Sequence, residues 1–385
     1  MSRDAEVIIV GGGLAGIAAA VTVASTGRKT LHLAPKAPPD RRTSALMRPS
    51  VDFLLSAGLI TDPASLGTAL TQIRIIDATS RLVRAPETLF DSREAGLDAF
   101  GWNFPNIALL ESFERVRSGL DNLTTIEAPM QALTRVDDGW RLTLPDGTTL
   151  EAPLVVGSDG KKSLVRAAAG FRAREHGFTQ AALVADLELA RPVDGASIEF
   201  HYPQGPFTLV PAGGQRANLV WIDDREVLRD IQAAGKERFT ELLQEKSQRL
   251  FGRLTPLTPA HMFLLSNLSV EKAGMDGVVL AGEAAHAFPP IGAQGLNLGL
   301  RDVADLAHVI ATPGIGTDWA DTVSTDYAAR RATDLARTGG MVDTLFRSLL
   351  ADFLPAQALR ATGLWALKSV PALRKRAFSV GMGIG

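Results

Sequence analysis

Three short stretches hold residue types whose spacing could do chemistry. In GGGLAG, Gly11, Gly13 and Gly16 form a G-x-G-x-x-G pattern between the β-branched run Val7–Val10 and an alanine-rich run starting at Leu14. The first glycine permits a sharp turn, the second lets the backbone approach a diphosphate, and the third lets a helix pack closely on a strand. Leu14, Ala15 and Gly16 would then begin a helix whose free N–H groups and dipole receive the anion. A glycine-rich turn that merely packs is the plain alternative. In SDGKKS, Asp159 and Gly160 follow another apolar run, although an aspartate before glycine is also an ordinary turn former. In LAGEAAHAFPPIGAQGLN, a strand ends near Gly282 and Glu283, which offers a carboxylate to hydroxyl donors. Pro289, Pro290 and Gly292 then shape a loop into a helix whose first N–H groups, at Gly295, Leu296 and Asn297, would present a positive end.

A dinucleotide site usually also has Asp or Glu at the end of its second strand, where it grips a ribose. After the strand expected at Lys29–Leu33 this chain has Ala34, with Lys36, Arg41 and Arg42 close by. A site built for a 2′-phosphate would look the same, so this segment alone suggests NADPH.

These residues must be held by strands feeding helices. The uncharged stretch 7–26 approaches the roughly 20 residues that cross a bilayer. Its glycine triplet, and an Arg3 outweighed by Asp4 and Glu6, argue instead for strand, turn and helix, and against a secretory signal. The chain has 385 residues, enough for two domains, and a net charge of −2, which makes nucleic acid an improbable partner. With no cysteine there is no disulfide, thiolate nucleophile or iron–sulfur cluster, in keeping with a reducing cytoplasm. The six histidines lack the i, i+4 pairing of a helical metal site, so no metal is expected. Alternating segments, ASIEFHY and FTLVPAGGQRANLVWID, suggest antiparallel hairpins in a second layer, and helical spacing runs from Trp319 onward.

The segments VVGSDGKKSLVR and LAGEAAHAFPPIGAQGLNLGLRD, in order after the glycine motif, resemble the downstream fingerprints of the class A flavin monooxygenases. More narrowly, they resemble the ubiquinone-biosynthesis hydroxylases, and RRTSAL, FGWNFPN and GPFTLVP match weaker blocks in the same order. The resemblance implies an α/β fold: a Rossmann-like FAD-binding domain of the glutathione-reductase type, an inserted mixed or antiparallel sheet for the substrate, and C-terminal helices. It suggests residues 1–70, 106–175 and 268–345 for the FAD part, 71–105 and 176–267 for the substrate part, and 346–385 for a helical tail. It further implies non-covalent FAD, reduction by NADH or NADPH, O2 as oxidant, and hydroxylation of an aromatic ring by a flavin hydroperoxide.

On that resemblance, Glu283 stands where the family has Asp and would receive the ribityl hydroxyls, and Asp159 would reach the diphosphate region and the nicotinamide channel. Arg42 would approach the flavin, Asn106 would make a phosphate or ribityl contact, and His286 would be structural. The substrate ring is expected between the flavin and a sheet bearing Phe207, Leu209 and Trp221, with Tyr202 nearby. The implied substrate is a prenylated phenol or quinol. Since such a molecule lives in membranes, the mixed apolar and basic stretch LRATGLWALKSVPALRKRAF would suit peripheral contact with the inner face, or docking of a second subunit or partner hydroxylase. A reductase or halogenase on the same fold, and a non-catalytic flavoprotein scaffold, are the competing readings. The scaffold is motivated by Ala34 and Glu283.

Overall fold

The computed structural model describes residues 4–79, 84–290, 292–350 and 365. Val7–Val10 are all buried, as an apolar strand covered on both faces must be. They pair in parallel with Leu154–Gly157 on one side and Thr30–Leu33 on the other. Val278–Leu280 and Leu123–Ile126 extend this sheet outward, and Gly274–Met275 closes one edge antiparallel. Helix α1 (Leu14–Ser25) makes the first crossover and is buried from Gly16 to Ala24. It stops where Gly27 adopts φ +89°, a left-handed step that costs glycine little. An antiparallel meander of Ala132–Val136, Gly139–Thr143 and Thr149–Ala152 shares the same apolar core through Leu133, Trp140 and Leu150.

A second, larger sheet is built on Ala173–Leu189, Arg216–Asp224, Gly205–Pro211 and Ala196–Tyr202, paired antiparallel in that order. Gln72–Asp77 joins it in parallel, and His261–Val270 borders the other side. Helices α2 (Arg48–Ser56), α3 (Pro63–Leu66), α4 (Asn106–Arg117) and α5 (Leu164–Ala168) precede the hairpins of this sheet. Helices α6 (Arg225–Ala233) and α7 (Gly235–Lys246) follow them and cover one face. Asp224 caps α6 by accepting from the Glu226 N–H, and Leu228, Ile231, Phe239 and Leu243 carry its apolar side and that of α7 into the sheet. The chain then returns to the first sheet and ends its described course in α8 (Gln294–Ile310) and α9 (Gly316–Leu350).

Two strands run across the domain junctions suggested by the sequence: Ala173–Leu189 spans 175/176, and His261–Val270 spans 267/268. Gly101–Pro105, expected with the substrate sheet, pairs instead with Thr43–Met47 and Thr68–Leu70. This small sheet touches the large one where Asn103 Nδ2 donates to the Pro211 carbonyl and to Asn218 Oδ1, at 2.8 and 2.6 Å. The C-terminal apolar and basic stretch lies outside the described residues apart from Trp365, which is exposed.

Candidate functional site

The three motifs meet. A β-carbon at Gly16 would lie 1.9 Å from the Gly11 carbonyl oxygen, and one at Gly11 would lie 2.1 Å from the Ser158 carbonyl oxygen. The first glycine loop therefore packs directly on the strand end that leads to Asp159 and Gly160. A β-carbon at Gly282 would come within 3.2 Å of Ala15 Cβ, and one at Gly299 within 3.2 Å of Gly282 Cα. Helix α1, the turn at 282–284 and helix α8 thus converge at one point, with glycine wherever a side chain would separate them. Arg166 ties the second motif to the third by donating to the Ala284 carbonyl at 2.8 Å.

Two glycines at this point have a different character. A β-carbon at Gly13 or Gly295 would meet nothing within 4 Å, and both residues are exposed. Each sits at the start of a helix with no acidic residue in the first turn and no side-chain cap, α1 for Gly13 and α8 for Gly295. Two positive helix ends therefore face open space. Ala34 lies against Gly12, whose β-carbon would meet its Cα and Cβ at 3.3 Å, so no carboxylate stands at that end of the second strand.

Polar side chains around this centre are mostly engaged with the chain itself. Asp159 accepts from Ser163 Oγ at 2.5 Å and from the N–H groups of Leu164 and Val165 at 2.7 and 3.1 Å, so its carboxylate starts α5. That is the turn-forming use which the sequence allowed beside the cofactor contact. Asn297 is buried, accepts from the Met47 N–H at 2.8 Å and donates to the Ala45 and Ala293 carbonyls. Its side chain thus locks the α8 terminus onto Thr43–Met47, and only its main chain can face the open space. Asn106 begins α4, donates to Asp40 at 2.8 Å and accepts from Ser44 Oγ at 2.6 Å. Arg42 grips both oxygens of Asp40 at 2.8 Å and lies 5.9 Å from the Phe263 ring centre. Burial would raise the Asp40 carboxyl, but Arg42 and Asn106 outweigh it and hold it below its ordinary value. Glu283 is exposed in the single turn Gly282–Ala284, near enough for its charge to favour that of Arg42. Leu14 is buried, Ala15 and Leu296 are half-buried, and Gly292 and Pro290 lie exposed on the approach to α8.

The four substrate-facing candidates are on the wrong side of the sheet. Phe207, Leu209 and Trp221 are no more than 1% exposed and belong to the core under α6 and α7. Phe207 packs edge-on against Phe200 and Trp221, and Tyr202 donates its hydroxyl to the Lys246 carbonyl at 2.8 Å while Lys246 sits over its ring. Burial pushes the Tyr202 hydroxyl up to about 12. Alternation along a strand is strict, so a choice of face that is wrong for one residue is wrong for its whole row. The opposite face carries Ala182, Ile222 and Leu265 with Phe178 and Val220, and it is this face that Asn103 approaches.

Three residues with work at this centre escaped the sequence. His32 is buried behind the glycine loop, 2.9 Å from the Gly11 carbonyl, with Arg117 at 3.2 Å from its other nitrogen. Burial, with the Arg117 charge and against the bond to Gly11, drives its pKa down to about 4. Asp302 accepts from the Gly282 N–H at 2.8 Å, from His286 at 2.6 Å and from Arg331 at 2.7 Å, all buried. Burial would raise its carboxyl, but His286 and Arg331 hold it below its ordinary value. Arg331 also pairs with Asp305 and Asp334, joining α9 to α8. His286 is structural, as expected, and stacks on Phe288. The signal for Asp302 was its place in GLRD at the end of the third motif, while Arg331 in α9 had none.

A model of the FAD binding domain matches residues 4–337. The chain belongs to this FAD-binding family. It is 31% identical to the ubiquinone hydroxylase UbiL of Rhodospirillum rubrum, over 97% of this chain and 88% of that protein. It is 27% identical to the 3-demethoxyubiquinol 3-hydroxylase of Escherichia coli over the full length of both. In solved structures its fold is similar to that of p-nitrophenol 4-monooxygenase from Pseudomonas putida, with a TM-score of 0.79, 18% identity and 99% of each chain covered. The chain is a FAD-dependent monooxygenase with NAD(P)H and O2 as co-substrates. The two open helix ends, and the glycines that bring them together, fit a group with a diphosphate at one end and an electron-accepting ring at the other.

Proposed function

We propose that this flavoprotein hydroxylates the ring of a prenylated phenol or quinol on the route to ubiquinone. The observation that carries the reading is the apolar cluster of Val220, Ile222, Leu265 and Phe178 on the sheet face that Asn103 approaches, whose chemistry suits a lipophilic ring. The names of the 31% and 27% identical relatives support the same substrate class. Gly11, Gly13, Leu14, Ala15 and Gly16 would hold the FAD diphosphate, assisted by the main chain at Asp159 and Gly160. Gly282 and Glu283 would serve the ribityl chain. Pro290, Gly292, Gly295, Leu296 and the Asn297 main chain would border the pyrimidine edge, with Arg42 and Asn106 at the entrance beside Asp40. Bound FAD supplies the reductive activation of O2; the chain's own task is to hold the ring, exclude water and keep the positive end of α8 on the flavin. The two-part division into FAD and substrate regions belongs to the same reading.

Among the described residues no helix is long and apolar enough to cross a membrane. A peripheral site of action at the inner membrane face, or within a biosynthetic complex, follows from the substrate and not from any helix.

The test uses the FAD-loaded protein mixed anaerobically with NADH or NADPH, with and without a short-chain 2-prenylphenol, and then with O2. Bleaching of the flavin accelerated by the phenol, and a product heavier by one oxygen, are the expected results. If neither nucleotide bleaches the flavin in the presence of any prenylphenol, the reading gives way to a scaffold role.

A further inference from the structure

On the face opposite α6 and α7 the large sheet presents a carboxylate and an imidazole in contact, Glu199 and His201, to which the FAD site gives no role. Glu199 and His201 alternate with Ile198 and Phe200, which are buried under the helices, so both project from the other face. Their carboxylate and imidazole Nε2 lie 3.2 Å apart, and the side chains of His201 and Glu199 remain 15% and 25% exposed. Register fixes their surroundings. Glu199 stands beside Thr208, and Thr208 beside Val220, so the carboxylate shares a row with the apolar face. On its other side is Ile75, which belongs to the patch covered by Phe90 and Phe100. Adjacent strands are about 4.8 Å apart, so Glu199 lies roughly 10 Å from Val220, in the gap between two covered apolar patches. His201 faces Pro206 and Asp77 on the neighbouring strands, and the Asp77 carboxylate is taken by Thr79 and by the Ala85 N–H. Asp77 is therefore the charged group that faces the pair from the neighbouring strands.

We propose that Glu199 is a catalytic base that takes the proton of the substrate's ring hydroxyl, with His201 holding its carboxylate in place. The inference rests on the phenol reading above and deepens it. The phenolic O–H bond breaks, its electron pair stays on the ring oxygen and enriches the carbon to be hydroxylated, and the proton bonds to a Glu199 oxygen. In the tautomer protonated at Nε2, His201 donates to the second oxygen, which fixes the rotamer and leaves the first oxygen for the substrate. A carboxylate held by an imidazole beside apolar side chains suits a neutral phenol that must be ionised in place.

The experiment compares FAD-loaded wild type with Glu199→Gln and His201→Asn. 4-Nitrophenol, whose phenolate is coloured, serves as a binding probe, and a short-chain 2-prenylphenol serves as substrate. Wild type should show a bound phenolate band at a pH where the free phenol is mostly neutral, and hydroxylated product. Glu199→Gln should lose that band and lose about 100-fold in kcat/KM for the prenylphenol, with FAD affinity and melting temperature unchanged. His201→Asn should retain the band but weaken it, with a smaller loss. If Glu199→Gln keeps both the band and the pH profile of wild type while making product, the base assignment is overturned and the hydroxylase reading stands. If wild type binds FAD but neither binds nor turns over any phenol, the hydroxylase reading itself is what has failed.

Discussion

The two faces of the large sheet are made from alternate residues of the same strands and meet different neighbours. The face under α6 and α7 is closed by the chain itself: Phe200, Phe207, Leu209 and Trp221 meet Leu228, Phe239 and Leu243 with almost no exposure. The other face meets the rest of the molecule at Asn103, and carries a smaller apolar cluster with Glu199 and His201 beside it. The same contrast recurs at the motifs, where Gly11 and Gly16 are pressed against backbone while Gly13 and Gly295 have nothing within 4 Å. Surfaces closed by the chain serve stability, and Gly13 and Gly295 leave room in front of their helices.

The contrast breaks first if closed positions fail to behave as core. Phe207→Ala should cost about 3–5 kcal/mol of unfolding free energy in urea titrations, with KM for the prenylphenol unchanged in the protein that remains folded. A marked rise in KM would return that residue to the substrate side. The buried carboxylate of Asp302 makes a comparable claim. Asp302→Ala takes from Arg331 its fully buried carboxylate and leaves the more exposed Asp305 and Asp334, so a loss of about 3 kcal/mol is expected. FAD should also be released more readily, read by flavin fluorescence, because the Gly282 turn loses its acceptor.

His32 gives a pH signature for the closed back of the glycine loop. Its folded pKa of about 4 lies below the ordinary 6.5, so the unfolded chain binds the extra proton first. Its contribution is fully present above about pH 6.5, falls as the pH drops toward 4, and amounts to about 3 kcal/mol. Urea midpoints measured across that window should fall more steeply for wild type than for His32→Leu. Parallel slopes would mean that His32 is not buried as a neutral ring.

The smallest effect sharpens the open side. Gly13→Ala meets no neighbour and Gly13 has an ordinary φ of −80°, so the FAD-free melting temperature should hold. FAD should bind about tenfold more weakly, about 1.4 kcal/mol, because the new methyl occupies the space in front of α1. Gly16→Ala, with its β-carbon 1.9 Å from a carbonyl, should instead fail in folding. Equal behaviour of the two variants would remove the distinction.

Much of this arrangement was legible before any coordinates. The buried parallel strand at Val7–Val10, the turn at Gly11 and helix α1 follow from β-branched residues, glycine spacing and alanine-rich sequence, all of which act over a few neighbours. The hairpins at Ala196–Tyr202 and Gly205–Pro211 were equally plain from their alternation. Side-chain duties at the site were less legible, because Asp159, Asn297 and Asn106 are polar residues at helix starts, where capping and ligand binding ask for the same chemistry. Only their partners separate the two uses. Arg331, 29 positions past the end of the third motif, gave no sign of its pairing with Asp302.

The sequence by itself determined the period of each strand, the positions that must be glycine and the order of the three motifs, since these depend on local sterics and on which residues dislike water. The tertiary structure alone decided which face of the large sheet is core. Alternation says that Phe207 and Thr208 point apart, but it is symmetric between the two sides. Only the packing of α6 and α7, encoded some twenty residues downstream, breaks that symmetry and leaves Val220, Ile222 and Glu199 on the side that meets Asn103.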